Sequence, residues 1–298
     1  MIEVILDASQ LEVFEACPRK WYLDHIRNLT TKRSNSALST GSYYHEVLKH
    51  YYSGPLKPRS DNIGPTIRFA ERLAIATSLT PDLEAAGVRS VNWLDVRKDP
   101  KFYLDRLRSY LVTHMLEDDN SEVIAVEQGF STLLYEDTER RYILEGMIDL
   151  VSMEKHTGLT VTDHKTQSRF YEKYPYNHQL LNYMSFTKAN YFRYNFIGLQ
   201  DKQNENTFRR VIFKPPEGVL EQWRNDVLRT FEQMEQYLRT LPSLHTESEA
   251  FPRRRQACHS QFGTCQFHQI CETPDNHIYL PNVMTRYKEK ENKWRAWS

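Results

Sequence analysis

The sequence predicts a mixed α/β protein in which a short meander of strands is preceded and followed by helices. Three observations predict this class. Helical spacing of apolar residues dominates the first part of the chain, β-type runs begin at Glu122, and a helix, further strands and a long helix follow. This order is typical of a mixed sheet with a helical insertion, and it differs from the strict alternation of a doubly wound sheet.

Apolar spacing and turn residues predict the individual elements in order. The predicted helices cover 9–29 (beginning at Ser9), 41–52, 66–117 (with interruptions near Pro81 and Gly87), about 175–189, and about 217–240. The predicted strands cover 122–135, 141–154, 159–165, 191–199 and 207–214. We expect one integrated domain in four parts: an N-terminal helical part (1–52), a helical insertion (53–120), a core (121–250), and a C-terminal segment with a tail (251–298).

Composition limits the classes of function. The 298 residues include 39 basic and 39 acidic side chains, so net charge gives no support for nucleic-acid binding, and such contacts would need local patches. The basic residues of 253–255 and of the tail 286–297 are two such patches, although both also fit solvated surface. The chain has no apolar run of membrane-spanning length and no secretory signal, so we expect a cytoplasmic protein.

Two acidic residues and a lysine in neighbouring predicted strands form a candidate metal site. Asp163 and Lys165 are two residues apart and project from the same face of a strand, although most such pairs are surface pairs. Asp149 lies in the mostly apolar segment 145–151, where an ionised carboxylate is costly without a partner. A divalent cation shared with Asp163 would compensate, since oxygen ligands suit Mg²⁺ or Mn²⁺. The alternative is that Asp149 caps a turn.

Four short motifs follow one another along residues 41–183. They are Gly41-x-x-x-His45, Gly146-x-x-Asp149, Asp163-x-Lys165 and Gln179-x-x-x-Tyr183. In this order they resemble the PD-(D/E)XK nucleases, in particular the RecB-like branch with its CRISPR-associated and AddB-type exonucleases. The resemblance implies a restriction-endonuclease-like nuclease core over 121–250, with a central mixed sheet flanked by helices.

The resemblance also implies roles for the motif residues. His45, Asp149 and Asp163 would bind the metal, and imidazole suits Mn²⁺ better than Mg²⁺. Lys165 would orient or activate the attacking water and would neutralise charge that develops on the phosphate. Standing alone, His45 would be interpreted as a histidine on a helix surface.

Three further side chains extend the predicted site. Gln179 and Tyr183 lie one helical turn apart, and the resemblance implies that they position the DNA strand. Glu127 is an additional acidic candidate in a predicted strand. The alternative for Glu127 is a solvated glutamate, as most strand glutamates are.

The chain has four cysteines, Cys17, Cys258, Cys265 and Cys271. In a cytoplasmic protein disulfides are disfavoured, so a metal site or inert thiols remain. Cluster-bearing members of the resembled family hold a [4Fe–4S] cluster with one N-terminal and three C-terminal cysteines, which implies this cofactor for the segment 251–298. The family usually places two residues between its second and third cysteines, whereas six lie here. Zn²⁺ is the main alternative, since four cysteines also bind Zn²⁺ and His259 and His268 are close by in sequence.

The resemblance implies a Mg²⁺- or Mn²⁺-dependent deoxyribonuclease. We expect an exonuclease that acts on single-stranded or frayed DNA ends in recombination, repair or DNA processing. The alternatives are a structure-directed endonuclease, or a DNA-binding subunit of a helicase, recombinase or integrase complex. The chain has no P-loop, so any unwinding would need a partner.

Overall fold

The computed structural model describes residues 2–31, 36–78, 99–167, 176–200, 202–204, 207–241, 247–260, 263–273 and 285–289. The helix interruptions predicted near Pro81 and Gly87, and the basic tail after residue 289, lie outside the described residues.

The described helices agree with the predicted order. They are α1 (Ala8–Ala16), α2 (Pro18–Trp21), a π-helical turn (Tyr22–Ile26), α3 (Ser36–Tyr52), a 3₁₀ turn (Arg59–Asn62), α4 (Ile63–Ser78), α5 (Pro100–Asp119), α6 (His178–Thr187), α7 (Val219–Thr240), α8 (Glu247–Ala250), a 3₁₀ turn (Arg255–Cys258) and α9 (His268–Glu272). Within the described residues, no helix is both long enough and apolar enough to cross a membrane.

The main sheet has six strands and is mixed. The strands of the protein are β1 (Ile2–Asp7), β2 (Leu29–Thr31), β3 (Ser121–Glu136), β4 (Arg140–Glu154), β5 (Gly158–Gln167), β6 (Tyr191–Gly198), β7 (Phe208–Phe213), β8 (His259–Ser260), β9 (Gly263–Thr264) and β10 (Tyr287–Glu289). The order in the main sheet is β1-β4-β5-β6-β7, and β3 also pairs with β4. The pairs β1–β4 and β5–β6 are parallel, whereas β4–β5 and β6–β7 are antiparallel. The predicted mixed α/β class with a central sheet flanked by helices is confirmed.

The described residues divide into two compact units. The first lies within Met1–Ser34, Phe130–Gly146 and Glu217–Ser298, and the second within Asn35–Gly129 and Met147–Pro216. Strand β4 contributes to both: its first half pairs with β1 in the first unit, and its second half pairs with β5 in the second.

The predicted helix 9–29 is wrong in two respects. It begins at Ala8, because the Asp7 carboxylate accepts the Gln10 N–H and caps α1, so Ser9 is not the cap. It also breaks at Cys17, whose backbone is extended (φ −164°, ψ 108°). Pro18 causes the break, since proline disfavours a helical conformation at the preceding residue and itself suits the first position of a new helix.

The predicted insertion 53–120 supplies part of the core of the second unit. Buried side chains of α4 and α5, including Ala70 and Leu107, pack in one cluster with Tyr44 of α3, Leu150 of β4 and Ile197 of β6. Helices α4 and α5 therefore cover strands β4 and β6, which carry or neighbour the predicted metal ligands.

Leu107→Ala should lower the free energy of unfolding by about 2–5 kcal/mol, because a fully buried leucine is lost and a cavity remains. Leu116→Ala in the same helix is the matched control, since Leu116 is 70% exposed and its loss should change stability by about 0.5 kcal/mol or less. Urea unfolding followed by circular dichroism measures both values. Equal losses in the two variants would contradict this packing.

Candidate metal centre and active site

The antiparallel pairing of β4 and β5 places Asp149 beside the Asp163-x-Lys165 motif. Leu150 lies opposite Thr162 in the register of these strands. The backbone N–H of His164 donates to Oδ2 of Asp149 over 2.7 Å, and the Asp149 side chain is 7% exposed. The carboxylate is therefore fixed by the sheet itself, with Oδ1 left for another partner.

Helix α3 and strand β3 each contribute one side chain to a three-residue cluster with Asp149. His45 Nδ1 lies 3.5 Å from Asp149 Oδ1 and 3.7 Å from Glu127 Oε1. One ligand atom from each of these three residues lies within 4.8 Å of the other two. One nitrogen and two carboxylate oxygens at this spacing suit a divalent cation.

Glu127 adopts an unusual backbone conformation. Its φ is 49°, although it lies within β3 and is not a glycine. This left-handed conformation costs a non-glycine residue roughly 1–2 kcal/mol. The sequence made Glu127 only an additional candidate for the metal site. In the structure its carboxylate lies beside His45 and Asp149. A strained residue that carries a ligand to the cluster indicates a functional constraint.

Asp163 is fully buried and lies against Lys165. The Lys165 ammonium lies 3.0 Å from Oδ1 and 2.9 Å from Oδ2 of Asp163, and it donates to Oδ1. Asp163 is not one of the three residues grouped within 4.8 Å, but its charge acts on both Asp149 and His45. The lysine ammonium therefore compensates the charge of this buried carboxylate.

Gln179 and Tyr183 of α6 form a hydrogen-bonded chain that ends on Lys165. Lys165 Nζ donates to Gln179 Oε1 over 3.0 Å, and Gln179 Nε2 donates to the Tyr183 hydroxyl over 2.6 Å. That hydroxyl in turn donates to the backbone carbonyl of Met147. The polar atoms of these two side chains therefore hold the lysine, a contact that the resemblance had not indicated.

Burial and neighbouring charges shift the pKa values of the cluster. Burial, followed by the charge of Asp163, raises the pKa of Asp149 to about 7. Burial alone would lower the pKa of His45, but the hydrogen bond to Glu127 and the charges of Asp149 and Asp163 outweigh it and raise that pKa. Burial also raises the pKa of Tyr183, so its hydroxyl stays protonated. A bound cation would favour the ionised form of Asp149.

His164 supports the cluster from the other face of β5. Its ring stacks on Tyr52 with centroids 5.5 Å apart and meets the His45 ring edge-on at 6.1 Å. Burial lowers the pKa of His164 well below its usual value, so the ring is neutral. The central position of the Asp-x-Lys motif had attracted no prediction, because this position is unspecified in the motif and only the fold shows what it contacts.

The four cysteines lie together in the first unit as free thiols. Cys17 Sγ accepts the backbone N–H of Arg254 over 3.4 Å, and the Cys265 N–H donates to the carbonyl of Cys258 over 2.8 Å. Burial raises the pKa of Cys271 to about 11, and the charges of the other three cysteines act in the same direction. The Cys258 thiol donates to the Arg254 carbonyl over 3.9 Å, so Cys17 and Cys258 both contact the backbone of Arg254.

The predicted basic patch at 253–255 is partly engaged with the cysteine region. The Arg253 guanidinium donates to the carbonyl of Cys271, and the Arg254 guanidinium donates to the carbonyl of Glu15. These two side chains thus tie the C-terminal cysteine segment together and to α1.

A mixed sheet that brings carboxylates, a histidine and a lysine together is the kind of site that metal-dependent nucleases use. A family model of the PD-(D/E)XK nuclease superfamily matches residues 6–272. The chain therefore belongs to the PD-(D/E)XK nuclease superfamily, whose nucleases use divalent metals. Curated proteins give no match. The crystal structure of SSO0001 aligns over 77% of this chain and 74% of that chain, with 13% identity and a TM-score of 0.33.

Asp149→Asn should change how stability depends on pH in the metal-free protein. The pKa of Asp149 in the folded state, about 7, lies above its ordinary 3.8, so the folded protein holds a proton there that the unfolded chain releases. The contribution of this group to stability therefore falls as pH rises from about 4 to about 7. Above pH 7 the variant should be more stable than the wild type by roughly 2–4 kcal/mol.

Urea unfolding in EDTA at a series of pH values measures this difference. The exposed Asp105 provides the control, because Asp105→Asn should leave the pH profile parallel to that of the wild type. Mn²⁺ at pH 7.5 should stabilise the wild type more than Asp149→Asn. A profile of Asp149→Asn parallel to that of the wild type would contradict the raised pKa.

Proposed function

We propose that this protein is a Mg²⁺- or Mn²⁺-dependent DNA exonuclease of the RecB-like branch that acts on single-stranded or frayed ends. One observation carries the proposal: a buried aspartate, a glutamate and a histidine form a cluster, and the Asp163–Lys165 pair adjoins it on the next strand. The site combines cation ligands with a cationic side chain that can meet a phosphate, as phosphodiester hydrolysis requires.

His45, Glu127 and Asp149 would hold the metal, with Asp163, whose carboxylate also contacts Lys165, as a further ligand. The bound metal would polarise a phosphoryl oxygen and lower the pKa of a bound water. His45 is about one third exposed and Asp149 is nearly buried, so solvent and substrate would reach the cluster from the side of the histidine.

Lys165 would orient the attacking water and neutralise charge that develops on the phosphate. Its side chain is 30% exposed, which leaves its ammonium accessible while Asp163 and Gln179 hold it. Gln179 donates to the Tyr183 hydroxyl and accepts from Lys165. We propose that these two α6 residues position Lys165, and that Lys165 in turn positions the DNA strand.

Asp163→Asn and Lys165→Ala should each abolish cleavage of linear DNA in Mg²⁺ or Mn²⁺ while the fold persists. Glu127→Gln should lower cleavage and weaken Mn²⁺ binding by at least tenfold, because it removes one charged ligand. Glu122→Gln is the matched control, since Glu122 is an exposed glutamate of the same strand β3 and should leave both measurements unchanged.

Comparison of linear, end-blocked and circular substrates separates the modes of cleavage. An exonuclease degrades only the free-ended DNA, whereas cutting of circular DNA would indicate an endonuclease. Failure to cut any of these DNAs with either metal would favour a DNA-binding subunit of a helicase, recombinase or integrase complex. Full activity of Asp163→Asn would overturn the assigned site.

We further propose that Cys17, Cys258, Cys265 and Cys271 hold a structural [4Fe–4S] cluster. Four thiols that interact with one another meet the requirement of such a cluster, and the Arg254 N–H on Cys17 Sγ is the type of hydrogen bond that stabilises a cluster thiolate. Burial raises the pKa of Cys265 and Cys271, so a metal would be needed to keep them as thiolates.

Protein purified without oxygen should show a broad visible absorbance, with iron and sulfide in equal amounts. Cys265→Ser should remove this absorbance and lower the melting temperature. The substitution removes one of the four thiolates by which the cluster would join residue 17 to residues 258–271. Gln256→Ala, at an exposed residue of the same segment, is the control. Stoichiometric zinc without iron, with loss of zinc in His268→Ala, would instead establish a zinc site.

A further inference from the structure

Met147 is a large apolar residue that lies exposed next to the candidate metal centre. It is 53% exposed, whereas the neighbouring Ile148 is fully buried. Met147 and Asp149 are two residues apart in β4, so their side chains project from the same face of the strand, roughly 7 Å apart. The strand face that carries the Asp149 carboxylate therefore continues into an exposed thioether.

The backbone of Met147 is held by the same hydrogen bonds that hold Lys165. The Tyr183 hydroxyl donates to the Met147 carbonyl. Gln179 donates to that hydroxyl and accepts from Lys165. A chain of hydrogen bonds thus connects the exposed methionine to the ammonium group that would meet a phosphate. Such a connection fixes the two positions relative to each other, as the binding of one extended ligand requires.

A second exposed apolar side chain lies on α6. Phe186 is 40% exposed, and it follows Tyr183 by three residues and Gln179 by seven. Residues at these spacings lie on one face of a helix. Helical side chains lean toward the helix N-terminus, which directs Phe186 toward the turn that carries Tyr183. The Tyr183 turn therefore adjoins one exposed apolar residue on β4 and another on α6.

Position distinguishes these two residues from other exposed apolar residues, which are ordinary on protein surfaces. Met153 of β4 is also exposed, but it lies six residues beyond Met147, roughly 20 Å along the strand. His45 and Lys165 are each about one third exposed, so the metal cluster and its lysine are open to solvent. A ligand held there would extend over the apolar surface next to it.

An unpaired nucleobase has the chemistry that such a surface binds. Every base has a π-face, and proteins that bind single strands place these faces against aromatic side chains whatever the sequence. The thioether of a methionine also makes favourable contacts with aromatic rings. In a duplex the same faces are covered by neighbouring bases, so only an unpaired nucleotide presents them.

We propose that Met147 and Phe186 bind the base of the unpaired nucleotide whose phosphate lies at Lys165. These two residues thereby select a single strand over a duplex, by the faces of the base and not by its identity. This role rests on the proposed function, because Lys165 meets a phosphate only when the protein holds DNA.

Fluorescence anisotropy of a labelled single strand with phosphorothioate linkages, which resist hydrolysis, measures the affinity in Mg²⁺. Met147→Ala should raise the Kd about fivefold or more, because it removes a surface on which the base lies. Phe186→Ala should act in the same direction, and Met147→Leu should retain most of the affinity because it keeps an apolar side chain. Met153→Ala is the matched control, at an exposed methionine of the same strand, and should leave the Kd unchanged.

A strand that lacks the bases at both of its ends separates base packing from a merely structural effect. The wild type should bind this abasic strand more weakly than the intact strand. Met147→Ala should weaken that binding no further, since the two changes remove the same contact. A blunt duplex should bind the wild type and Met147→Ala with equal affinity.

An unchanged Kd for the intact strand in both Met147→Ala and Phe186→Ala would overturn the proposal. An equal loss of affinity for the intact and the abasic strand, or no binding of the strand by the wild type, would overturn it as well. The proposed nuclease function fails separately, if the wild type binds the strand but cuts no DNA in either metal. Where cleavage occurs, Met147→Ala should raise the KM for the unmodified strand and leave kcat unchanged, because the metal ligands and Lys165 are untouched.

Discussion

The buried carboxylate of Asp149 is the constraint on which the second unit depends. A charge with 6% exposure on a mostly apolar strand needs compensation, and the fold supplies the His164 N–H on one oxygen and the His45 imidazole on the other. Even so, burial and Asp163 raise the pKa of Asp149 to about 7. A cation that shared these oxygens, as the proposed function requires, would favour the ionised form of Asp149.

Burial also disfavours the ionised form of cysteine side chains in the first unit. Burial raises the pKa of Cys265 and Cys271, and the backbone N–H of Arg254 already points at Cys17 Sγ. In each unit, burial disfavours the ionised form of side chains to which the proposed function assigns a metal. Metal binding as proposed would therefore release protons and add to stability in both places.

Much of the fold could be predicted because local spacing reports it. The strand runs predicted at 122–135 and 141–154 correspond to β3 and β4, since alternation and turn residues are local properties. The break at Cys17 was signalled by Pro18, but the apolar spacing across 9–29 concealed it. The left-handed conformation of Glu127 had no local signal, because nothing in a strand pattern marks a non-glycine residue with positive φ.

The sequence by itself determined the order of elements, because residue type and short spacing are local information. The motif residues His45, Asp149, Asp163 and Lys165 were predicted from the resemblance of their motifs, in this order, to a nuclease family. Only the tertiary structure decided that Glu127 joins His45 and Asp149, and that Gln179 holds Lys165. Those contacts join residues that are distant in the chain. Strand pairing and helix packing set such distances, and they depend on the balance of burial and hydrogen bonding over a whole unit rather than on any one segment.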